Sequence, residues 1–358
     1  MSFTSLKIGD LVSSVPIIQG GMGVGISMSG LASAVANEGG IGIIATAMIG
    51  IDEPDVSANP VAANIRALKR EIRKARTMTK GIIGVNIMVA LTHYAELVKA
   101  SVEEAVDIII SGAGLPLDLP GYLVEGAKTK LVPIVSSARA AKILCQKWLS
   151  KYNRLPDAFV VEGPKAGGHL GFKKEQINDP EFTLEKLVKE VIDTVSDIAV
   201  KHDTIIPVIA AGGIYTGEDI RKMLNLGAAG VQMGTRFVAT FECDAAFEFK
   251  KAYLDAKEED LIIINSPVGL PGRALHNKFL DDVENGIKKP FRCPYHCIKT
   301  CDIENSPYCI ALALAGAKKG KFKSGFAFAG ANAYRINEIV SVKDLIRSLQ
   351  LEFEQTQS

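Results

Sequence analysis

Neither sign of charge is in excess in this sequence: 41 basic residues stand against 40 acidic ones along 358 positions. That balance excludes a nucleic-acid binder working through a broad basic face, and a polybasic membrane anchor. Long apolar runs are missing as well. None reaches the roughly 18 residues a membrane-spanning helix requires. The start, MSFTSLKIGD, has no basic segment leading into an apolar stretch, so no secretory signal is expected and the chain reads as cytoplasmic. Low-complexity segments are absent, and with 47% apolar residues disorder is not expected. Histidine is scarce, with five in all.

What is present is a series of short β-rich runs: 15–21, 40–47, 81–89, 106–114, 131–137, 158–163, 206–213 and 228–234. Each is almost continuously apolar, as strands covered on both faces of a parallel sheet are. Amphipathic stretches lie between them. SMSGLASAVANEGG offers Ser27 or Ser29 as an N-cap and Gly39 as a stop. NPVAANIRALKREIRKAR, TLEKLVKEVIDTVSDIAVKH and TGEDIRKMLNLG repeat the helical pattern. Eight βα repeats predict an α/β fold, a (β/α)8 TIM barrel. An open doubly wound sheet is the alternative, but no switch point is marked. The barrel core is expected over 1–240. Residues 241–358 are expected to form a helical elaboration packed on it, with one helix, the turn-rich NSPVGLPGRALHN, a cysteine-rich segment at 291–310 and a last amphipathic helix in VSVKDLIRSLQLEF.

In such barrels the site lies at the C-terminal ends of the strands. The loops there read QGGMGVG, SGAGLP, SSAR, EGPKAGGHLG, AAGGIYTGED and MGTRF. Glycines permit positive φ and let backbone amides approach a ligand. The seventh and eighth loops, with Gly212, Gly213, Gly234 and the hydroxyl of Thr235, are placed where these barrels bind phosphate. Plain turn glycines are the alternative. Asn86 and Glu162 are polar residues ending apolar runs, and buried polar groups need partners. A planar heterocycle such as a flavin would supply them; so would one another. His169, between glycines, is either a base at a pocket mouth or a loop residue. The remaining histidines, His93, His202, His276 and His296, have no comparable setting.

PIIQGGM, GGIGII, GVNIMV, GAGLP, AGGHLG, IPVIAAGGI and GVQMGTRFV, with GFAFAGANAYRI further on, together resemble the nitronate monooxygenase (2-nitropropane dioxygenase) family and the related flavin-dependent enoyl-acyl-carrier-protein reductases. The resemblance implies an FMN-dependent barrel acting on a small molecule, with no nucleic-acid or membrane partner; a homo-oligomer stays open. It implies that Gly21, Met22 and Gly23 lie against the isoalloxazine ring and that Asn86 bonds its polar edge. Glu162, Gly167 and Gly168 would line the site, and Ala211, Gly212, Gly213, Gly234 and Thr235 would hold the phosphate end. His169 falls on the family's catalytic histidine. In the monooxygenases that residue takes the α-proton of a nitroalkane or orients a nitronate. A histidine titrating near neutrality suits that task. The reaction implied is oxidation of a nitronate with O2 to a carbonyl compound and nitrite. The alternatives are an NAD(P)H-dependent enoyl-thioester reductase and a flavin-binding barrel without turnover. Lys165 departs from the family pattern. It would favour an anionic substrate, or else sit on the surface.

The resemblance does not account for FRCPYHCIKTCDIENSPYC. Cys293, Cys297, Cys301 and Cys309 fall within 17 residues at C-x3-C-x3-C-x7-C spacing. On a helix the first three would share a face. Four thiolates suit an iron–sulfur cluster or zinc; reduced structural cysteines and disulfides are the alternatives.

Overall fold

The computed structural model describes residues 3–287, 293 and 295–356. Eight parallel strands close into a barrel in chain order: β1 (Ile17–Gln19), β2 (Ile41–Ala45), β3 (Ile82–Met88), β4 (Ile108–Gly112), β5 (Lys130–Val135), β6 (Phe159–Glu162), β7 (Val208–Ala211) and β8 (Gly230–Met233). Each pairs with the next, and β8 pairs back to β1 with Val231 opposite Ile17. All eight lie inside the runs predicted from apolarity, apart from one residue at the start of β5.

Side chains alternate about the barrel wall. Ile18, Ile43, Ile110, Val132, Val160 and Ile209 fill the interior, and an N-terminal ribbon of Leu6–Ile8 and Leu11–Ser13 brings Leu6 and Ile8 into the same cluster. Ile17, Ile44, Val85, Ile109, Leu131, Val161 and Val231 face outward into the layer packed with the helices. Gly42 marks how close that layer lies: a Cβ there would stand 1.9 Å from the Ala32 carbonyl oxygen.

Helices Ser29–Asn37, Pro60–Met78, Tyr94–Glu103, Ala138–Tyr152, Leu184–Lys201 and Gly217–Asn225 make the crossovers. The expected repeat breaks between β4 and β5, where a 3-10 turn, Leu119–Tyr122, stands in place of an α-helix. Asn59 caps its helix through Ala62 N, and Thr216 and Asp219 form a capping box. The cap expected from Ser27 or Ser29 is not made by either. Met28 holds the cap position, and Asp244, 216 residues away, accepts from Met28 N at 2.8 Å and Leu31 N at 3.2 Å. Ser27 is engaged by Met22 N, and Ser29 donates to Glu71 at 2.6 Å.

The C-terminal portion differs from its sequence reading in one consequential place. An antiparallel ribbon, Leu261–Asn265 with Pro271–Leu275, runs into the turn-rich stretch and takes its second strand from it. Its second strand also pairs with Gly168–His169 from the loop after β6. Alternation is weak in LIIIN and PGRAL, and Pro and Gly crowd the connection, so turn chemistry masked the strands. Among its described residues the cysteine segment holds no helix on which the first three thiols share a face; Cys309 stands at the N-cap position of the helix Ile310–Lys318. No helix among the described residues is long and apolar enough to cross a membrane.

Candidate active site

At the C-terminal mouth of the barrel lies a cavity of about 710 Å³. Its wall takes in Gly21, Met22 and Gly23 after β1, Asn86 in β3, and Glu162, Gly167, Gly168 and His169 from β6 and its loop. Ala211, Gly212, Gly213, Gly234 and Thr235 complete it from β7, β8 and their loops. Every residue singled out in the barrel portion therefore meets in one place.

The glycines are there for geometry. Gly212 and Gly213 have φ of +94° and +89°, and Cβ atoms would press to 2.8 Å on Gly163 O and on Lys165 Cβ respectively. At Gly21 a Cβ would overlap Asn86 Cβ at 2.3 Å. A methyl group at any of these would close the cavity wall.

The polar groups are arranged for a visitor. The Gln232 side chain has a buried Oε1 with no hydrogen-bond partner among the described residues, and a buried acceptor left so costs about 1–3 kcal/mol. Neither the Glu162 carboxyl nor the Asn86 amide bonds a described protein group. Burial alone pushes Glu162 up to about 7. Gln232 went unnoticed in the sequence; a polar residue at an interior strand position was the available signal.

His169 is fixed from two sides. Its Nε2 lies 2.7 Å from Ser266 Oγ, at the end of the C-terminal ribbon, and its ring meets Phe328 edge-on at 5.0 Å. No carboxylate faces it, and burial pushes it down to about 4. This corrects the expectation of a histidine titrating near neutrality: the imidazole is neutral across the physiological range.

The loop carrying His169 is held by Arg273. Buried on the ribbon, it donates to Pro164 O at 2.6 Å and Ala166 O at 2.9 Å. Residues 328–332 close the other side: Thr235 Oγ1 accepts from Gly330 N at 3.1 Å, and Asn332 donates to Gly213 O at 2.6 Å. Lys165 is exposed at the cavity edge. Leu115, Leu170, Phe172, Phe182 and Leu270 make an apolar part of the remaining wall, beside the polar Ser136, Ser137 and Gln176.

The four C-terminal cysteines lie outside this wall. All are free, and among the described residues no group of three or more His, Cys, Asp or Glu is arranged to hold a metal ion.

The closed barrel with its glycine-lined mouth defines a (β/α)8-barrel protein with a ligand cavity at the C-terminal ends of its strands. The model of the nitronate monooxygenase family matches residues 5–352, and the chain belongs to that family. An octahydro-1H-indene-4-carboxyl-CoA dehydrogenase of Mycobacterium tuberculosis is 31% identical over 273 residues, 76% of this chain and 66% of that protein. The chain thus spans just under two thirds of that relative. A probable nitronate monooxygenase of Staphylococcus aureus is 28% identical over 304 residues, 75% of this chain and 77% of that one. Among solved structures, FabK from Thermotoga maritima aligns over 95% of this chain and 93% of its own, with 29% identity and a TM-score of 0.71. A nitroalkane oxidase from Streptomyces ansochromogenes covers 95% and 96%, with the same TM-score at 22% identity, a likeness of fold.

Proposed function

We propose that the chain binds FMN in the barrel mouth and oxidises alkyl nitronates with O2 to a carbonyl compound and nitrite. One observation carries the reading: unpartnered polar groups of Asn86, Glu162 and Gln232 converge, with positive-φ glycines, on a single cavity. A bound flavin would supply the redox chemistry, taking electrons from the substrate and giving them to O2. Asn86 and Gln232 would satisfy its polar edge. The Gly21–Gly23 stretch would form a flat wall, and Gly212, Gly213, Gly234 and Thr235 would hold its phosphate.

His169 then acts as a neutral imidazole. With Nε2 engaged by Ser266 it can orient an anionic substrate by hydrogen bonding, but it is a weak base toward carbon. The preferred substrate is therefore a preformed nitronate rather than its neutral nitroalkane. Lys165 at the cavity edge adds a cation that attracts such an anion.

Anaerobic absorbance tests this. The purified chain is expected to carry FMN, and a nitronate is expected to bleach it while NADH does not. His169→Asn should keep the flavin and lose turnover by roughly 100-fold or more. Flavin absent from protein purified or reconstituted with FMN would end the reading.

The apolar wall of Phe172, Phe182 and Leu270 favours a second reading, an NAD(P)H-dependent enoyl-thioester reductase with the acyl chain lying there. Fast bleaching by NADH, reversed by an enoyl thioester, would put it first.

A further inference from the structure

Cys293, Cys297 and Cys309 pack into one apolar cluster with Val24, Met48, Tyr295, Ala311 and Ala315. Cys297 and Cys301 also border the main core beside it. Cys297 belongs to both groups and so links Cys301 to the other two, although the sequence separates Cys309 from Cys301 by seven residues. The chain around them is pinned to the β3 loop. Thr92 N donates to Cys297 O at 3.1 Å, Lys299 N to Ala90 O at 3.0 Å, and Leu91 bridges to Ile298. Cys309 enters from the cap position of the helix Ile310–Lys318.

Four free thiols gathered beside one apolar cluster supply the ligand set of a polynuclear centre. A polynuclear centre spreads its ligands over separate metal atoms, one thiolate to each. We propose that Cys293, Cys297, Cys301 and Cys309 each bind one iron of a [4Fe–4S] cluster. On binding, each thiol gives up its proton to solvent and its sulfur replaces one exchangeable ligand on an iron. The core of iron and inorganic sulfide is delivered by the cell's cluster-assembly chemistry.

The location gives the site a purpose. Val24 and Leu314 line the barrel cavity and also pack into the cysteine cluster. The centre is then a one-electron store beside the cavity; that it exchanges electrons with a flavin rests on the reading above, whereas the cluster site itself does not.

The full chain, expressed with iron and purified without oxygen, provides the test. Iron and acid-labile sulfide are expected at about four each per chain, with a low-temperature paramagnetic resonance signal after dithionite reduction. Cys301→Ser and Cys309→Ser should each lower both contents by more than half. Protein that holds neither iron nor sulfide, even after reconstitution with ferrous iron and sulfide, overturns the proposal. So does one zinc per chain, or wild-type iron and sulfide in both variants. These counts do not depend on the cavity's ligand, so failure here leaves the FMN reading standing, and a flavin-free chain leaves this one standing.

Discussion

Glu162 and His169 share one cavity and titrate in opposite senses. The Glu162 carboxyl, raised from 4.5 to about 7, keeps its proton in the native state while the unfolded chain loses it. Its contribution is present below pH 4.5 and disappears as pH rises to 7. His169, lowered from 6.5 to about 4, stays neutral in the native state while the unfolded chain gains a proton, so its contribution disappears as pH falls. Each amounts to about 3 kcal/mol over its window. Between pH 4.5 and 6.5 the slopes cancel. Urea unfolding of the flavin-free chain should therefore be nearly flat there. His169→Asn should lose stability as pH rises from 4.5 to 7, and Glu162→Gln should gain it as pH rises from 4 to 6.5. Slopes of one sign in both variants would refute the assignment. His169 could be chosen from its glycine-flanked setting. Its Ser266 partner, 97 residues further on, could not.

At the scale of elements, the ribbon Leu261–Asn265 and Pro271–Leu275 positions the loop that carries His169. Arg273 is its anchor, a buried guanidinium whose hydrogen bonds go to backbone carbonyls. Arg273→Ala leaves the carbonyls of Pro164 and Ala166 unpaired, and a loss of about 2–4 kcal/mol in urea unfolding is expected. A cost under about 0.5 kcal/mol would mean that the loop holds itself. The barrel strands were legible because continuous apolarity reports burial on both faces. The ribbon was not, since LIIIN is only half-buried and PGRAL begins on a proline. The helix Ser29–Asn37 was legible in extent but not in its cap: no local pattern points to Asp244.

At the scale of the molecule, the final helix Val342–Gln355 ties the chain's end to the barrel. Arg221 donates to Phe353 O at 2.8 Å and its guanidinium stacks on the Phe353 ring at 4.2 Å, while Gly217 N donates to Glu352 at 2.7 Å. Leu345, Ile346, Leu349 and Phe353 are buried against this seam. Removing residues 341–358 would take all four away, uncover the barrel surface they pack on and leave Arg221 without its acceptor. With about 1.5–3 kcal/mol for each side chain, the loss approaches a whole domain's stability. The truncated chain is expected to show no cooperative thermal transition by circular dichroism. A transition within a few degrees of the full chain's would make the helix an accessory.

The order of apolar runs and glycine loops by itself determined the eight-stranded barrel, the mouth at which its site opens and the residues that line it. Those properties rest on local periodicity, which a sequence displays. Tertiary structure alone decided that burial lowers the His169 pKa, that Gln232 Oε1 is buried without a partner among the described residues, and that the C-terminal ribbon holds the loop carrying His169. Burial and long-range hydrogen bonds produce these, and both depend on which distant segments the closed barrel brings into contact.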